Sequence, residues 1–257
     1  MEQDLVLGID IGGQSSKLGV VNARGTIIER DTFSSKGLND LDSYINALTS
    51  SINALIEKVG GKERIKGIGV GAPNGNFYKG TIEYAPNLTW GRDKDGNPTT
   101  IDFANIVSEK VGVPVILTND ANAAAVGEMT YGAARGMKNF IEITLGTGVG
   151  SGIVIGGYVL YGHDGFAGEL GHTTAVRGNG RRCGCGRTGC LETYASAIGV
   201  ARTPRDAGVT ARPRLIPQGH SPRGNHLKGR RHRRSQRRRT LQGRVQIHRH
   251  HPGPFTG

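Results

Sequence analysis

Two glycine turns, each entered and left by a β-prone run, constrain this chain more than any other feature. Leu5 to Ile11 is apolar and extended in character, stops at Gly12-Gly13, and resumes as Leu18 to Ala23 after the polar stretch Gln14 to Lys17. Phe140 to Leu145, the turn Gly146 to Gly150, and Ile153 to Ile155 repeat that plan. Strand, glycine turn and strand in both places predict a pseudo-duplicated α/β protein. Neither turn fits a Walker A loop or a Rossmann fingerprint, because both of those lead into a helix. A glycine turn taken singly is commonly just a tight hairpin. The pair adds a second reading, since Asp10 can hold Mg²⁺ directly or through water, while Thr147 and the glycine amides can bind phosphate oxygens.

Between the turns the pattern alternates. Thr26 to Phe33 predicts a third strand, so the chain opens with a meander. Leu41, Tyr44, Ile45, Leu48, Ile52, Leu55, Ile56 and Val59 recur at helical spacing behind Asp40, a candidate N-cap. Lys66 to Gly71 reads as a buried strand, Ile101 to Val111 as a short helix, Pro114 to Thr118 as a strand, and Asp120 to Ala134 as an alanine-rich helix. Asp120 has two readings. It is a good N-cap, and it also stands at the carboxyl end of a sheet strand, where a carboxylate could accept the proton of a hydroxyl attacking a γ-phosphate.

All three cysteines fall between positions 183 and 190, after Glu169-Leu170-Gly171-His172. Cys183, Cys185, Cys190 and His172 make a Cys₃His set with the chemistry of a closed, structural Zn²⁺ site. Three unrelated buried thiols are the alternative, disfavoured by the glycines beside every cysteine. Zinc would fix the loop that presents Glu169, His172 and Glu192 to a polyhydroxylated ligand.

Taken in order, Asp10-Ile11-Gly12-Gly13, Asn119-Asp120-Ala121-Asn122-Ala123, Leu145 to Gly150, Glu169 to His172 and the Cys183 to Glu192 block resemble the ROK family of sugar kinases and repressors, over residues 5 to about 203. The resemblance implies an actin-like (ribonuclease H-like) ATPase fold of two α/β domains, here 1–117 and an incomplete 118–203. It implies ATP-dependent phosphorylation of a hexose, most often glucose on its 6-hydroxyl, with Mg²⁺ and a structural Zn²⁺. Asp120 would be the general base, with Asn87, Asn119, Glu169, His172 and Glu192 holding sugar hydroxyls, so that His172 serves both zinc and sugar. Asp10, Gly12, Gly13, Gly146, Thr147 and Gly148 would serve the ATP phosphates and Mg²⁺. Gln14 departs from the Thr that many members carry after the double glycine, and Ser15 or Ser16 could supply that hydroxyl. The family's repressors carry a helix-turn-helix ahead of the first strand, and a strand beginning at Leu5 favours the kinase branch.

Charge divides the chain. The formal net charge is +12, yet residues 201–257 carry fourteen Arg and one Lys against Asp206 alone, a net of +14. Residues 1–200 hold 18 basic and 20 acidic residues, an ordinary body with a net of −2. The basic balance therefore describes a tail, 204–257. Three readings compete for it: an arm touching nucleic acid non-specifically through phosphates, a solvated disordered tail, or a shifted reading frame of a GC-rich gene, which best suits the Arg, Pro, Gly and His excess. The arm supports an alternative function as a sugar-sensing or nucleic-acid-associating binding protein. On the shifted-frame reading, the second sheet lacks partners, exposes apolar surface, aggregates and turns over little substrate. No apolar run is long enough to span a membrane and no signal-peptide pattern opens the chain, so a cytoplasmic location is expected, with a homo-oligomer left open.

Overall fold

Leu5, Leu7, Ile9 and Ile11 alternate with Val6, Gly8 and Asp10, so an extended backbone sends four large aliphatics to one face. In the computed structural model, which describes residues 4–206, all four are buried. They form β1 (Leu5–Ile11), the central strand of the larger sheet. β2 (Ser15–Asn22) and β3 (Ile27–Ser34) follow antiparallel, giving the expected meander. α1 (Leu41–Lys58) begins where the Asp40 carboxylate accepts a hydrogen bond from Ser43 N, and it buries Tyr44, Ile45, Leu48, Ile52, Leu55 and Ile56. β4 (Ile65–Ala72) then returns parallel to β1.

A small sheet follows that the sequence pattern does not announce: β5 (Gly75–Asn76), β6 (Thr81–Glu83) and β7 (Thr100–Ile101). Its connecting loop carries Trp90, fully buried and stacked on Tyr44 at 3.7 Å between ring centroids. The helix expected from Ile101 instead starts at Phe103, because Ile101 pairs with Ile82 in β7; the helix is α2 (Phe103–Val111). β8 (Val115–Asn119) lies parallel to β4 and completes the order β3-β2-β1-β4-β8. It keeps its pairing through Asn119, just past the expected division between the halves.

α3 (Asp120–Thr130) stops four residues short of Ala134. Glu128 ends it by turning back on the chain, its carboxylate accepting from Ala133 N at 2.7 Å and its carbonyl from Ala134 N at 3.2 Å. β9 (Phe140–Leu145), β10 (Val149–Ile155) and β11 (Tyr158–Val159) form an antiparallel sheet in the order β11-β10-β9. β10 begins well before Ile153, so Gly150 and Gly152 are strand residues and not part of the turn. They are glycine because α3 lies on them: a Cβ at Gly150 would meet Ala121 Cβ at 2.9 Å, and one at Gly152 would meet Ala121 O at the same distance. Among the described residues β9 is an edge strand whose Ile141, Ile143 and Leu145 stay 50 to 64% exposed. α4 (Glu192–Ala195) and α5 (Ala197–Asp206) close the described chain, divided at Ser196. No described helix is long and apolar enough to cross a membrane. The readings of the basic tail fall, from residue 207 onward, outside the described residues.

Ser16 and Tyr44, both fully buried, share a 2.7 Å hydroxyl–hydroxyl hydrogen bond that ties β2 to α1. Ser16→Ala and Tyr44→Phe should each lower unfolding stability by about 1–2 kcal/mol, since each orphans a buried hydroxyl, and the double variant should lose less than the sum. Urea unfolding of the four proteins reads this, and strict additivity would show that the hydroxyls do not depend on each other.

Candidate active site

Both glycine turns are hairpin loops, the first joining β1 to β2 and the second joining β9 to β10. In the first, Ile11 pairs with Ser16, and Gly12 N–H donates to Ser15 O at 3.0 Å. Gly13 sits under Asn87, whose carbonyl oxygen would lie 3.0 Å from any Cβ there. That contact brings Asn87 to the first turn, a placement that a Pro-Asn loop alone could not announce. Asp10 points away from the core, with Lys17 Nζ across the strand pair at 3.8 Å. Ser16 cannot supply the hydroxyl expected near Gln14, because it is buried against Tyr44; Ser15, half-buried, is the one left. In the second turn Leu145 pairs with Val149, leaving a three-residue loop closed by Gly146 N–H donating to Gly148 O at 3.0 Å.

The capping question at the start of α3 has a structural answer. Asn119 is the N-cap residue, and its Oδ1 accepts from Ala121 N at 2.9 Å. Asp120 is the first helical residue, its Oδ1 accepting from the same N–H at 2.8 Å. Asn119 can therefore hold the helix end without Asp120, while its amide nitrogen stays available as a donor. Burial pushes the Asp120 carboxyl above its ordinary range, and the nearby charge of Asp10 adds to the rise. Asp10 and Asp120 also line one cavity of about 930 Å³, together with Thr118, Phe77 and Tyr161.

Glu169 and His172 bracket a single 3-10 turn, Leu170–His172, with His172 Nε2 4.0 Å from Glu169 Oε2. Burial raises the Glu169 carboxyl, His172 opposes the rise, and Asp120 and Glu192 reinforce it. Those influences on Glu169 place Asp120, His172 and Glu192 in its electrostatic neighbourhood. His172 divides its ring: Nε2 faces Glu169, while Nδ1 lies 3.6 Å from Cys183 Sγ.

His172, Cys183, Cys185 and Cys190 bring one ligand atom each to within 4.8 Å of all the others, and Cys185 Sγ lies 3.7 Å from Cys190 Sγ. Tetrahedral zinc with Zn–S near 2.3 Å and Zn–N near 2.0 Å requires edges of about 3.8 Å between sulfurs and about 3.6 Å between sulfur and nitrogen. The four residues fit that ion. Arg181, which sequence reasoning missed, braces the region by donating to Thr193 O and Gly199 O. Asn76, Phe77 and Tyr161 were missed as well: buried Asn76 donates to Asp164 O at 2.9 Å, and Phe77 stacks on Tyr161 at 4.3 Å. No motif marks them, since their partners lie far away in sequence.

Comparison with known proteins places the chain in a family. The model of the ROK family matches residues 6–227, reaching beyond the 203 at which the motif resemblance ends. The chain is 41% identical over 209 residues to a glucokinase of Halalkalibacterium halodurans, covering 79% of this chain and 60% of that protein. It is 34% identical over 191 residues to the xylose repressor of Bacillus subtilis, covering 74% of this chain and 47% of the repressor. Among solved structures, a ROK family glucokinase from Streptomyces griseus in complex with glucose and AMPPNP superposes with a TM-score of 0.65 at 34% identity, over 80% of this chain and 64% of that one. The chain thus spans about 60% of the length of the glucokinases it matches.

A carboxyl whose folded pKa lies above its unfolded value weakens the fold once it ionises. Asp120→Asn should therefore raise the melting temperature at neutral pH. The gain should shrink as pH falls through the raised folded value and vanish below the ordinary value of 3.8. Thermal melts of both proteins across pH check this, and an unchanged or lowered melting temperature at neutral pH would contradict it.

Proposed function

The chain belongs to the ROK family and has its actin-like α/β fold, and on that premise we propose that its site transfers the γ-phosphate of ATP to a hydroxyl of a hexose, glucose before others. One observation carries the reading. Asp120, held at a helix start between the two glycine hairpins, shares its surroundings with Glu169, His172 and Glu192 on one side and Asp10 on the other. The carboxylates of Asp120, Glu169 and Glu192, the His172 imidazole and the Asn119 amide offer the mix of acceptors and donors that a polyol needs. The glucose and AMPPNP in the Streptomyces griseus relative support both substrates.

In this reading Asn87, Asn119, Glu169, His172 and Glu192 hold the sugar so that one hydroxyl points at Asp120. The carboxylate takes the hydroxyl proton as the oxygen attacks the γ-phosphorus and ADP leaves. A loose transition state asks little basicity of that base, so a carboxylate suffices even with its proton affinity raised. Asp10 would hold Mg²⁺, which neutralises charge on the phosphates when bound. Gly12 and Gly146 spend their N–H groups closing the hairpins. Their contribution is therefore turn shape, and a phosphate would meet the amides of Gly13, Thr147 and Gly148. His172 Nε2 serves the sugar while Nδ1 faces the thiolates, so one ring can do both tasks. The zinc would hold this loop and take no part in the transfer.

Glucose should bind the 257-residue chain in calorimetry, and Asp120→Asn should change that affinity by no more than about threefold while lowering glucose phosphorylation in a coupled assay by at least about a hundredfold. Equal turnover in both proteins would remove Asp120 as the base. Binding without transfer in the parent chain would fit either the sugar-sensing alternative, which the similarity to a xylose repressor keeps in view, or the low turnover expected of an incomplete second sheet. Transfer in a form extended to the length of the glucokinase relatives would separate the two. Metal analysis should find one zinc per chain, and Cys190→Ser should reduce that content and lower the melting temperature.

A further inference from the structure

The zinc loop and the second glycine hairpin are joined by two hydrogen bonds, one on each side of the turn. Glu192, two residues past Cys190, accepts a hydrogen bond from Val149 N through Oε2 at 3.0 Å. Gly148 lies directly against that oxygen, and a Cβ there would collide with it. The φ of Gly148 is not in the left-handed region, so the carboxylate and not the backbone conformation requires glycine at this position. On the other side of the turn, Ala197 N–H donates to Gly146 O at 2.9 Å. The segment between these two residues is itself anchored at the zinc loop. Cys190 bridges to Thr174, and Leu191 N–H donates to Thr173 O at 2.9 Å.

A glycine-flanked loop of three residues has much backbone freedom to lose, and a phosphate-binding turn works only if that freedom is removed beforehand. A carboxylate accepting a backbone N–H is among the stronger ways to remove it. We propose that Glu192 and Ala197 are positioning residues for the second glycine turn. They fix the backbone of 146–149 so that Thr147 and Gly148 present their amides to a triphosphate, and the segment 190–197 carries the order of the zinc loop to the phosphate site. Glu192 thus has a task beyond any contact with the sugar. The inference rests on the nucleotide reading of this turn, and its test separates the two.

Hydrogen exchange on the full 257-residue chain reads the turn directly, with Glu192→Ala, Glu192→Gln and Ala197→Pro as variants. Proline is suited to position 197, because the first helical residue needs no N–H for the helix itself and Ser196, at φ −69° and ψ 165°, already has the extended backbone that precedes proline. Glu192→Ala and Ala197→Pro should each speed exchange of the 146–150 amides by at least about tenfold, the loss expected for a hydrogen bond of this strength. Zinc content should stay at the parent value, and Glu192→Gln, whose amide oxygen still accepts, should remain within about threefold of the parent. Affinity for Mg·AMPPNP should fall in step with the exchange. Unchanged exchange in both disruptive variants overturns the positioning role, as does a Glu192→Ala variant that loses glucose affinity while its 146–150 amides stay protected. Faster exchange in a chain whose parent binds no AMPPNP supports the positioning role and instead removes the nucleotide reading of the turn.

Discussion

The closeness with which α3 lies on two sheets at once sets the geometry of everything around it. An alanine-rich helix can approach a sheet closely only where the sheet also gives up its side chains. Gly71 of β4 comes within 3.1 Å of Ala123 Cβ if a Cβ is imagined there, and Gly150 and Gly152 of β10 face Ala121 in the same way. Small residues on both sides of the contact thus bring the start of the helix close against β4 and β10 together. A methyl group at Gly150 or Gly152 would push α3 outward and move Asp120 with it.

That placement carries an electrostatic cost. Asp120 ionises against burial and against Asp10, and Glu169 ionises against burial, Asp120 and Glu192. An apolar interior would not assemble so many carboxylates, and nothing in the packing of the core asks for them. Lys17, 3.8 Å from Asp10, and His172, beside Glu169, offset part of that cost. Strain of this kind in one place, compensated by a well-filled core elsewhere, is a usual division at functional sites. Here the core is the α1 face, with Trp90 and Tyr44 stacked at its centre.

Much of the fold was legible in the sequence because the signals were local. The alternation in β1, the helical spacing behind Asp40 and the Cys₃His spacing each depend on residues near one another in the chain, and each element stands where the pattern put it. Gly150 was misread as a turn residue because a glycine needed for close helix packing looks the same in sequence as one needed for a bend. The small sheet and Trp90 were missed because strands of two or three residues carry no period. Ser16 was read as one of two hydroxyls open to a phosphate because its buried partner, Tyr44, is 28 positions away.

The sequence by itself determined the α/β class, the two hairpins and the Cys₃His cluster, and it showed that the +12 charge belongs to a tail attached to a body of −2. Only the tertiary structure decided which of Asn119 and Asp120 caps α3, which nitrogen of His172 faces the thiols, and that Glu192 reaches back to Val149 across 43 positions. Residue types and short spacings fix what chemistry is present. Which atom of a side chain is engaged and which is free depends on distances between segments that meet only when the helix settles onto its glycines.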